Sequence, residues 1–146
     1  MKISLKYIFC AFALVASVSA LAKERVYKAA DFGIRPNTKQ SQSALMQKAI
    51  DAIRAEMKKG DKAVLLMEEG RYDFHPTDAC SRAYYVSNHD QPQPRPVGIA
   101  LEDLHDFMLD GQGAEFVFHG RMMPLSLVRS EDCTLQNFSI DFENPQ

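Results

Sequence analysis

The sequence predicts a mainly β protein: a right-handed parallel β-helix that begins with one covering α-helix. Three observations favour this fold. One amphipathic stretch typical of a helix lies early in the chain, and no second one follows it. After residue 97, short apolar strands alternate with polar or glycine-bearing turns. Two of these strands repeat at a constant offset, which is typical of stacked units that bury their apolar sides only against one another.

Residues 1–22 have the composition of a signal peptide. Lys2 and Lys6 precede an apolar run over residues 7–18, and Ala20-Leu21-Ala22 places small residues at the two positions that a signal peptidase recognises. A membrane anchor is the alternative, but the run is shorter than the ~20 residues that a spanning helix needs. We therefore expect cleavage after residue 22, export to the bacterial periplasm or medium, and a mature chain without a membrane span.

The charge of the chain gives no basis for binding nucleic acid. The net charge is -2, from 17 Lys and Arg against 19 Asp and Glu. Removing residues 1–22 takes away two lysines and no acid, which changes the net charge to -4. A chain of this charge repels a polyanion, so a neutral or basic partner is favoured.

The mature chain is expected to open with a short strand at residues 25–29, followed by a turn at Asp31-Phe32-Gly33. A helix is predicted next, with Ser41 as its N-cap and Lys58-Lys59-Gly60 as its cationic last turn and stop. Its buried face is formed by apolar residues at three- and four-residue spacings: Met46, Ala49, Ile50, Ile53 and Met57.

The apolar run at residues 63–67 predicts a strand buried on both faces, and Glu68-Glu69-Gly70 ends it. Residues 75–96 are expected to be mostly loop, with at most a short strand at residues 83–87. The reason is that prolines at alternate positions lack the N–H groups that a sheet requires: Pro92, Pro94 and Pro96.

The last third of the chain predicts strands only, at residues 98–101, 107–109, 115–118, 125–128 and 134–140. The segment 106–111 aligns on 132–137 with a constant offset of 26 residues. A β-sandwich also has short strands and turns and is the alternative. The early helix favours the β-helix, because a solenoid has an open apolar end that an amphipathic helix covers.

Two cysteines remain after the signal segment, Cys80 and Cys133. An exported chain can join them. Equally, Cys133 is a small buried strand residue and Cys80 a loop thiol. The sequence leaves both alternatives open.

Three motifs follow one another along the chain: Ala30-Asp31-Phe32-Gly33, the helical segment 44–50, and Gly70-Arg71-Tyr72. In this order they resemble the pectin-lyase-like β-helix superfamily. A second set of segments comprises residues 85–90, 109–113, 119–124 and 137–145. These segments are similar to the start of the bacterial α-1,3-galactosidases of glycoside hydrolase family 110.

The family resemblance implies an exported hydrolase that removes terminal α-1,3-linked galactose from oligosaccharides and glycans. It further implies inversion at the sugar carbon, with no metal and no cofactor. The catalytic acid and base are expected beyond residue 146, so no catalytic residue is assigned here. Residues 23–146 are then the cap and first coils of a β-helix truncated at its C-terminus. We expect this segment by itself to be inactive and prone to aggregate, because a coil edge is left open.

Four residues are candidates for substrate binding: Asp141, Glu143, His119 and Arg121. Asp141 and Glu143 lie two apart after a strand and are expected to face one side of a groove. His119 and Arg121 flank Gly120 in a turn and offer hydrogen bonds to sugar hydroxyls. The alternative for all four is a solvated loop or corner with no ligand.

Other polar residues are explained by structure. Asn137 and Ser139 are expected at a coil corner, where the asparagine bonds to the backbone of the turn and stacks with its counterparts in adjacent coils. Residues 110–113 are expected to form a similar turn. They lack the context of a phosphate-binding loop. No metal-ligand spacing joins the four histidines, His75, His89, His105 and His119.

Two other functions stay open on the sequence. A polygalacturonase or pectate-degrading relative would act on acidic polysaccharide, which the charge of the mature chain disfavours. A non-catalytic glycan-binding or adhesin-like β-helix would bind oligosaccharide without cleaving it, because fold alone does not fix function.

Overall fold

The structure is a computed structural model that describes residues 23–85 and 93–144. The predicted signal peptide and part of the predicted strand at 83–87 lie outside these residues. The described elements are β1 (Glu24–Lys28), a 3₁₀ turn (Ala29–Phe32), α1 (Ser43–Glu56), β2 (Lys62–Leu66), β3 (Arg71–Phe74), β4 (Cys80–Arg82), β5 (Arg95–Glu102), β6 (Phe107–Phe118), β7 (Met123–Val128) and β8 (Thr134–Phe142). Within the described ranges, no helix has the length and apolarity needed to cross a membrane.

The strands form two sheets whose pairing is almost entirely parallel. In the larger sheet, β2 and β3 lie end to end along one side of β6, and β8 lies along its other side. The strand β1 extends this sheet beyond β2. In the smaller sheet, β5 pairs in parallel with β7 and antiparallel with the short β4. The protein is therefore mainly β with one α-helix, as the sequence predicts.

The predicted 26-residue offset is confirmed by the strand register. In the larger sheet Leu109 pairs with Leu135, and in the smaller sheet Leu101 pairs with Leu127. Apolar residues of similar shape thus stack on one another from one strand to the next. Leu135 packs against the buried core, whereas Leu127 is exposed. An antiparallel β-sandwich does not have this register, and the pairing contradicts that alternative.

The core is filled from both sheets and from the helix. Fully buried side chains include Phe107, Phe116 and Phe118 on β6 together with Tyr72 and Phe74 on β3. The rings of Phe74 and Phe116 meet edge to face with centroids 5.4 Å apart, and Phe116 stacks on Phe138 of β8 at 4.7 Å. Such aromatic pairs add to the free energy gained from burial.

Helix α1 covers one edge of the smaller sheet, and the side-chain amide of Gln47 bonds to the backbone there. The buried Gln47 donates from Nε2 to the carbonyl oxygen of Ala100, and its Oε1 accepts the Ala100 N–H, both at 3.2 Å. The amide therefore replaces the neighbouring strand that β5 lacks at this point, because buried backbone groups need hydrogen-bond partners. The predicted apolar face of the helix is confirmed at Met46, Ala49, Ile50 and Ile53, which are all fully buried. The predicted end was wrong: the helix ends at Glu56, so Met57 is its partly buried C-cap, and Lys58-Lys59-Gly60 lies beyond it.

Local predictions were wrong at several boundaries. The helix N-cap is Gln42, while the Ser41 hydroxyl turns toward Asp78 and Ser43. Residues 83–85 are not a strand; the short strand is β4, three residues earlier. Pro96 lies inside β5, opposite Ser81 of the edge strand β4. A proline is tolerated there because so short a pairing needs few N–H groups.

Residues 110–113 do not form the expected turn. Strand β6 runs continuously through them, with an irregularity in its pairing to β8 between Asp110 and Ala114. The two strands approach so closely here that a Cβ on Gly111 would lie 2.6 Å from the carbonyl oxygen of Asn137. A bulge therefore replaces the turn, and glycine is required because any side chain would collide with the neighbouring backbone.

Cys80 and Cys133 are both free thiols, so the disulfide alternative is not formed. Cys80 is on β4 rather than in a loop, and its Sγ contacts the carbonyl oxygen of Val97 at 3.2 Å. Burial raises the pKa of both thiols above the ordinary value.

Candidate ligand-binding cleft

A polar cleft lies where β3, β6 and β8 end. Along β3, Tyr72 and Phe74 point into the core, so the alternating residues Arg71 and Asp73 face outward. His119 directly follows β6, and Glu143 directly follows β8. Because these three strands are parallel, their carboxyl ends meet at one edge and bring these residues together.

The cleft has a volume of about 470 Å³. Its lining residues are all polar or charged and present amide, ammonium, guanidinium, imidazole and carboxylate groups. We call it the Asp73 cleft, and it is lined by Asn37, Lys39, Arg71, Asp73, His75, His119 and Glu143. Its volume lies within the ~300–1,000 Å³ range of small-molecule sites.

Asp73 is the centre of the hydrogen-bond network in this cleft. Its Oδ1 accepts from Arg71 Nη2 at 2.8 Å and Nε at 3.1 Å, and it contacts His119 Nε2 at 2.8 Å. Burial opposes ionisation of this carboxyl group, but the hydrogen bonds from Arg71 and His119 outweigh it and lower its pKa below the ordinary value. Asp73 is thus a carboxylate at neutral pH.

Arg71 joins two strands that are not neighbours. From β3 it reaches across β6, where its Nη2 contacts Glu143 Oε2 at 2.5 Å. The hydrogen bonds to Asp73 and Glu143 raise the pKa of the guanidinium further above its ordinary value. Asp73, Val117 and Asp141 pair with one another across β3, β6 and β8 and form an outward-facing row. Within this row, Val117 of β6 is only 3% exposed.

Two histidines form one wall of the cleft. The rings of His75 and His119 are stacked, with centroids 4.0 Å apart and an interplanar angle of 8°. The backbone N–H of His75 donates to the hydroxyl oxygens of Ser41 and Ser43, both at 3.1 Å. The start of helix α1 thereby holds His75 in position against His119.

Two of the four predicted binding residues line the cleft, and two do not. Glu143 and His119 line the Asp73 cleft. Arg121 and Asp141 are exposed and do not line it, and the Oδ1 of Asp141 accepts from the N–H of Phe142 at 2.8 Å. A ligand in this cleft would therefore contact Glu143 and His119 but not the other two.

Sequence reasoning missed Asn37, Lys39, Arg71, Asp73 and His75. The alternation of Arg71 and Asp73 with two aromatic residues predicts that both face outward. It does not predict what they face. Only the 44-residue step between β3 and β6, seen in the pairing of Arg71 with Glu115, brings them beside His119.

Asp73 does not have the electrostatics of a general acid. A general acid for glycosidic cleavage needs a raised pKa, whereas that of Asp73 is lowered. Asp73 and Glu143 accept from the same guanidinium nitrogen, Arg71 Nη2.

A second polar cluster at the β-bulge is structural. Asp110 Oδ2 accepts from Gln136 Nε2 at 3.0 Å, and its Oδ1 accepts from Asn137 Nδ2 at 2.9 Å. Donation by Asn137 and Gln136 lowers the pKa of Asp110 to about 2. Asn137 thus bonds to a side chain of the adjacent strand and not, as predicted, to the backbone of its turn.

A larger groove of about 660 Å³ lies beyond the end of α1, at the opposite ends of the strands, where β2, β6 and β8 begin. It is lined by charged residues of both signs, including Lys58, Asp103 and Glu131. Across residues 23–85 and 93–144, no three His, Cys, Asp or Glu side chains come close enough together to hold a metal ion.

Comparison with known proteins identifies the relatives of this chain. No protein-family model matches it. It is 55% identical over 132 residues, 90% of its length, to a protein of Phocaeicola vulgatus named Alpha-1,3-galactosidase B. The chain is a homologue of bacterial alpha-1,3-galactosidases. The predicted family resemblance is confirmed.

Two further galactosidase relatives support this homology. A Parabacteroides distasonis protein named Alpha-1,3-galactosidase B is 39% identical over 142 residues, and a Shewanella woodyi protein named Alpha-1,3-galactosidase A is 39% identical over 127 residues. The chain spans 22%, 23% and 20% of the length of the three galactosidases, or about a fifth.

Proposed function

We propose that this chain forms part of an exported glycoside hydrolase that removes terminal α-1,3-linked galactose from glycans. The observation that carries the proposal is the 55% identity, over 90% of the chain, to a protein named Alpha-1,3-galactosidase B. Identity at this level over 90% of the chain favours a shared activity in the complete proteins.

The proposed architecture is a right-handed parallel β-helix of the pectin-lyase-like type. It is supported by parallel pairing in both sheets and by the 26-residue step that β5 to β7 shares with the first part of β6 to β8. Beyond the bulge, from Ala114 on, the step from β6 to β8 is 24 residues. It is also supported by α1, whose Gln47 satisfies the free edge of β5. A β-helix provides a long polar surface along which a glycan chain can lie.

Export through a cleaved signal peptide at residues 1–22 is part of the proposal and is supported by the sequence alone. It places the enzyme where extracellular glycans are available. N-terminal sequencing of the mature protein, recovered from the periplasm or medium, tests this step; an intact N-terminus at Met1 contradicts it.

The proposed reaction is inverting and needs neither a metal nor a cofactor. Inversion requires one carboxylic acid to protonate the leaving oxygen and a second carboxylate to activate water. We place both outside residues 23–146. Of the four predicted binding residues, Glu143 and His119 are supported by their place in the Asp73 cleft, and Asp141 and Arg121 stay predictions.

The test uses the complete gene product that contains this chain. We expect release of galactose from an α-1,3-linked galactosyl disaccharide, with little release from the α-1,4- or α-1,6-linked isomers, and activity that survives EDTA. Proton NMR during turnover should show β-galactose first. Release of reducing sugar from polygalacturonate but not from the α-1,3-galactoside would support the pectate-degrading alternative, and binding without cleavage would support the adhesin-like one.

A further inference from the structure

The Asp73 cleft has hydrogen-bonding capacity that its own network does not use. Within residues 23–85 and 93–144, no group donates to Oδ2 of Asp73 or Oε1 of Glu143, and no acceptor bonds to Arg71 Nη1 or Lys39 Nζ. Asp73 is only 6% exposed at its side chain, and it lines the cleft. A buried carboxylate in such a position favours a ligand that donates hydrogen bonds.

The charges of the cleft indicate a neutral ligand. Lys39 and Arg71 are balanced by Asp73 and Glu143, so the formal charge of the lining is zero with both histidines neutral. A small anion would meet two carboxylates, and a small cation would meet a guanidinium and an ammonium. Sugar hydroxyls both donate and accept, so one ring can satisfy acceptors and donors together.

The rigidity of the cleft favours a specific geometry over loose binding. Arg71 fixes Asp73 and Glu143 through three hydrogen bonds, and Asp73 in turn fixes the ring of His119. His119 is stacked on His75, whose backbone is held by Ser41 and Ser43. Polar groups held in advance by their neighbours lose little entropy when a ligand binds.

We propose that the Asp73 cleft is a binding site for a neutral galactopyranoside. Asp73 Oδ2 and Glu143 Oε1 accept hydrogen bonds from sugar hydroxyls, and Lys39 and Arg71 Nη1 donate to sugar oxygens. The site holds a galactose-containing part of the glycan. The proposal rests on the proposed function only for the identity of the sugar.

Photolabelling of the complete gene product tests the site. The probe is an α-galactoside that carries a diazirine on its aglycone. Trypsin cuts after Arg71 and Arg82 and gives the peptide 72–82, which contains Asp73 and His75. We expect this peptide to be labelled, and unlabelled methyl α-galactoside, but not sodium sulfate, to abolish the label.

The decisive variant is Glu143→Gln, because Glu143 lies outside the labelled peptide and its loss changes occupancy without removing a site of insertion. We expect about a fivefold fall in labelling of peptide 72–82 at sub-saturating probe, the effect of one charged hydrogen bond. The matched control is Glu131→Gln in the opposite groove, an exposed glutamate 3.9 Å from His105, which should leave the label unchanged. Asp73→Asn provides a second variant, checked for folding by circular dichroism.

Equal labelling in Glu143→Gln and the parent protein would overturn the proposal, as would displacement of the probe by sulfate. Absence of label on peptide 72–82 while other peptides are labelled and galactose is released would overturn it and leave the galactosidase function intact. Labelling of this peptide with no galactose released from any α-1,3-galactoside would instead contradict the proposed function and support the site.

Discussion

Equivalent positions on successive strands differ sharply in burial. Leu101 on β5 is 0% exposed, whereas its register partner Leu127 on β7 is 45% exposed. Phe116 on β6 is likewise 0% exposed, and its partner Ile140 on β8 is 45% exposed. All four side chains are large and apolar, so residue type does not explain the difference.

The difference follows from what lies on each side of a strand. Strand β6 has β2 and β3 on one side and β8 on the other, and β5 lies between β7 and the pair formed by β4 and α1. Strands β7 and β8 each pair with a described strand on one side only. In a stacked β protein, a strand is therefore buried by its two neighbours and not by its own sequence.

The largest effect is expected for the Phe116→Ala variant. Its ring contacts Tyr72, Phe74 and Phe138, so removing it leaves a cavity in the centre of the stack. We expect the free energy of unfolding to fall by about 3–5 kcal/mol. Urea denaturation of the complete gene product measures it, with Tyr85→Ala as the control because Tyr85 is 91% exposed. A loss no larger than that of the control would show that the aromatic stack is not formed.

A sharper comparison measures the loss of unfolding free energy caused by Ile140→Ala in two proteins, the 146-residue chain and the complete gene product. In the 146-residue chain the half-exposed Ile140 contributes little, and we expect a loss below about 1 kcal/mol. In the complete gene product, a further winding stacked on β8 would bury Ile140 and raise the loss to about 2–5 kcal/mol. Urea denaturation of both proteins checks this, and losses of equal size would contradict the proposed continuation of the β-helix.

A smaller effect is expected at the helix-covered edge. The Gln47→Leu variant removes both partners of the Ala100 backbone and leaves a buried N–H and C=O unpaired. We expect a loss of about 1–3 kcal/mol by thermal or urea unfolding. Lys48→Leu, at the next and exposed position of the same helix, is the matched control. An unchanged Gln47→Leu protein would show that the helix does not replace a strand at this edge.

The smallest effect concerns acid stability at the bulge. The pKa of Asp110 is about 2 in the folded chain, below its value in an unfolded chain. Its contribution to stability is therefore complete above pH ~4 and is lost as the pH falls toward 2. We expect unfolding free energy to decline less steeply between pH 4 and 2 in Asp110→Asn than in the parent protein. Parallel pH profiles of the two would contradict the role assigned to this carboxylate.

The order of elements was predictable because it depends on local patterns. The three- and four-residue spacing around Ile50 predicts the helix, and the apolar run at residues 63–67 predicts β2, which the structure places one residue earlier. Prediction was poorest at Pro96 and at residues 110–113. There, tertiary pairing decided the backbone: an edge partner accommodates the proline, and the neighbouring strand turns an expected loop into a bulge.

The candidate site was predictable only in part. Glu143 was proposed together with Asp141 because the two acids follow a strand, and His119 together with Arg121 because the two flank Gly120 in a turn. Only Glu143 and His119 line the cleft. Asp73, the centre of the cleft, was not identified, because a single aspartate in an alternating strand is an ordinary surface residue. Its hydrogen bonds to Arg71 and His119 exist only once β3 lies against β6.

By itself the sequence determined the mainly β class, the covering helix and the 26-residue step, since each is a repeating pattern of apolar residues along the chain. Tertiary structure alone decided which strands are buried, which cysteines stay apart and which charges share the Asp73 cleft. The physical reason is distance: β3 and β6 pair residues 44 positions apart, and local preference carries no information over that separation.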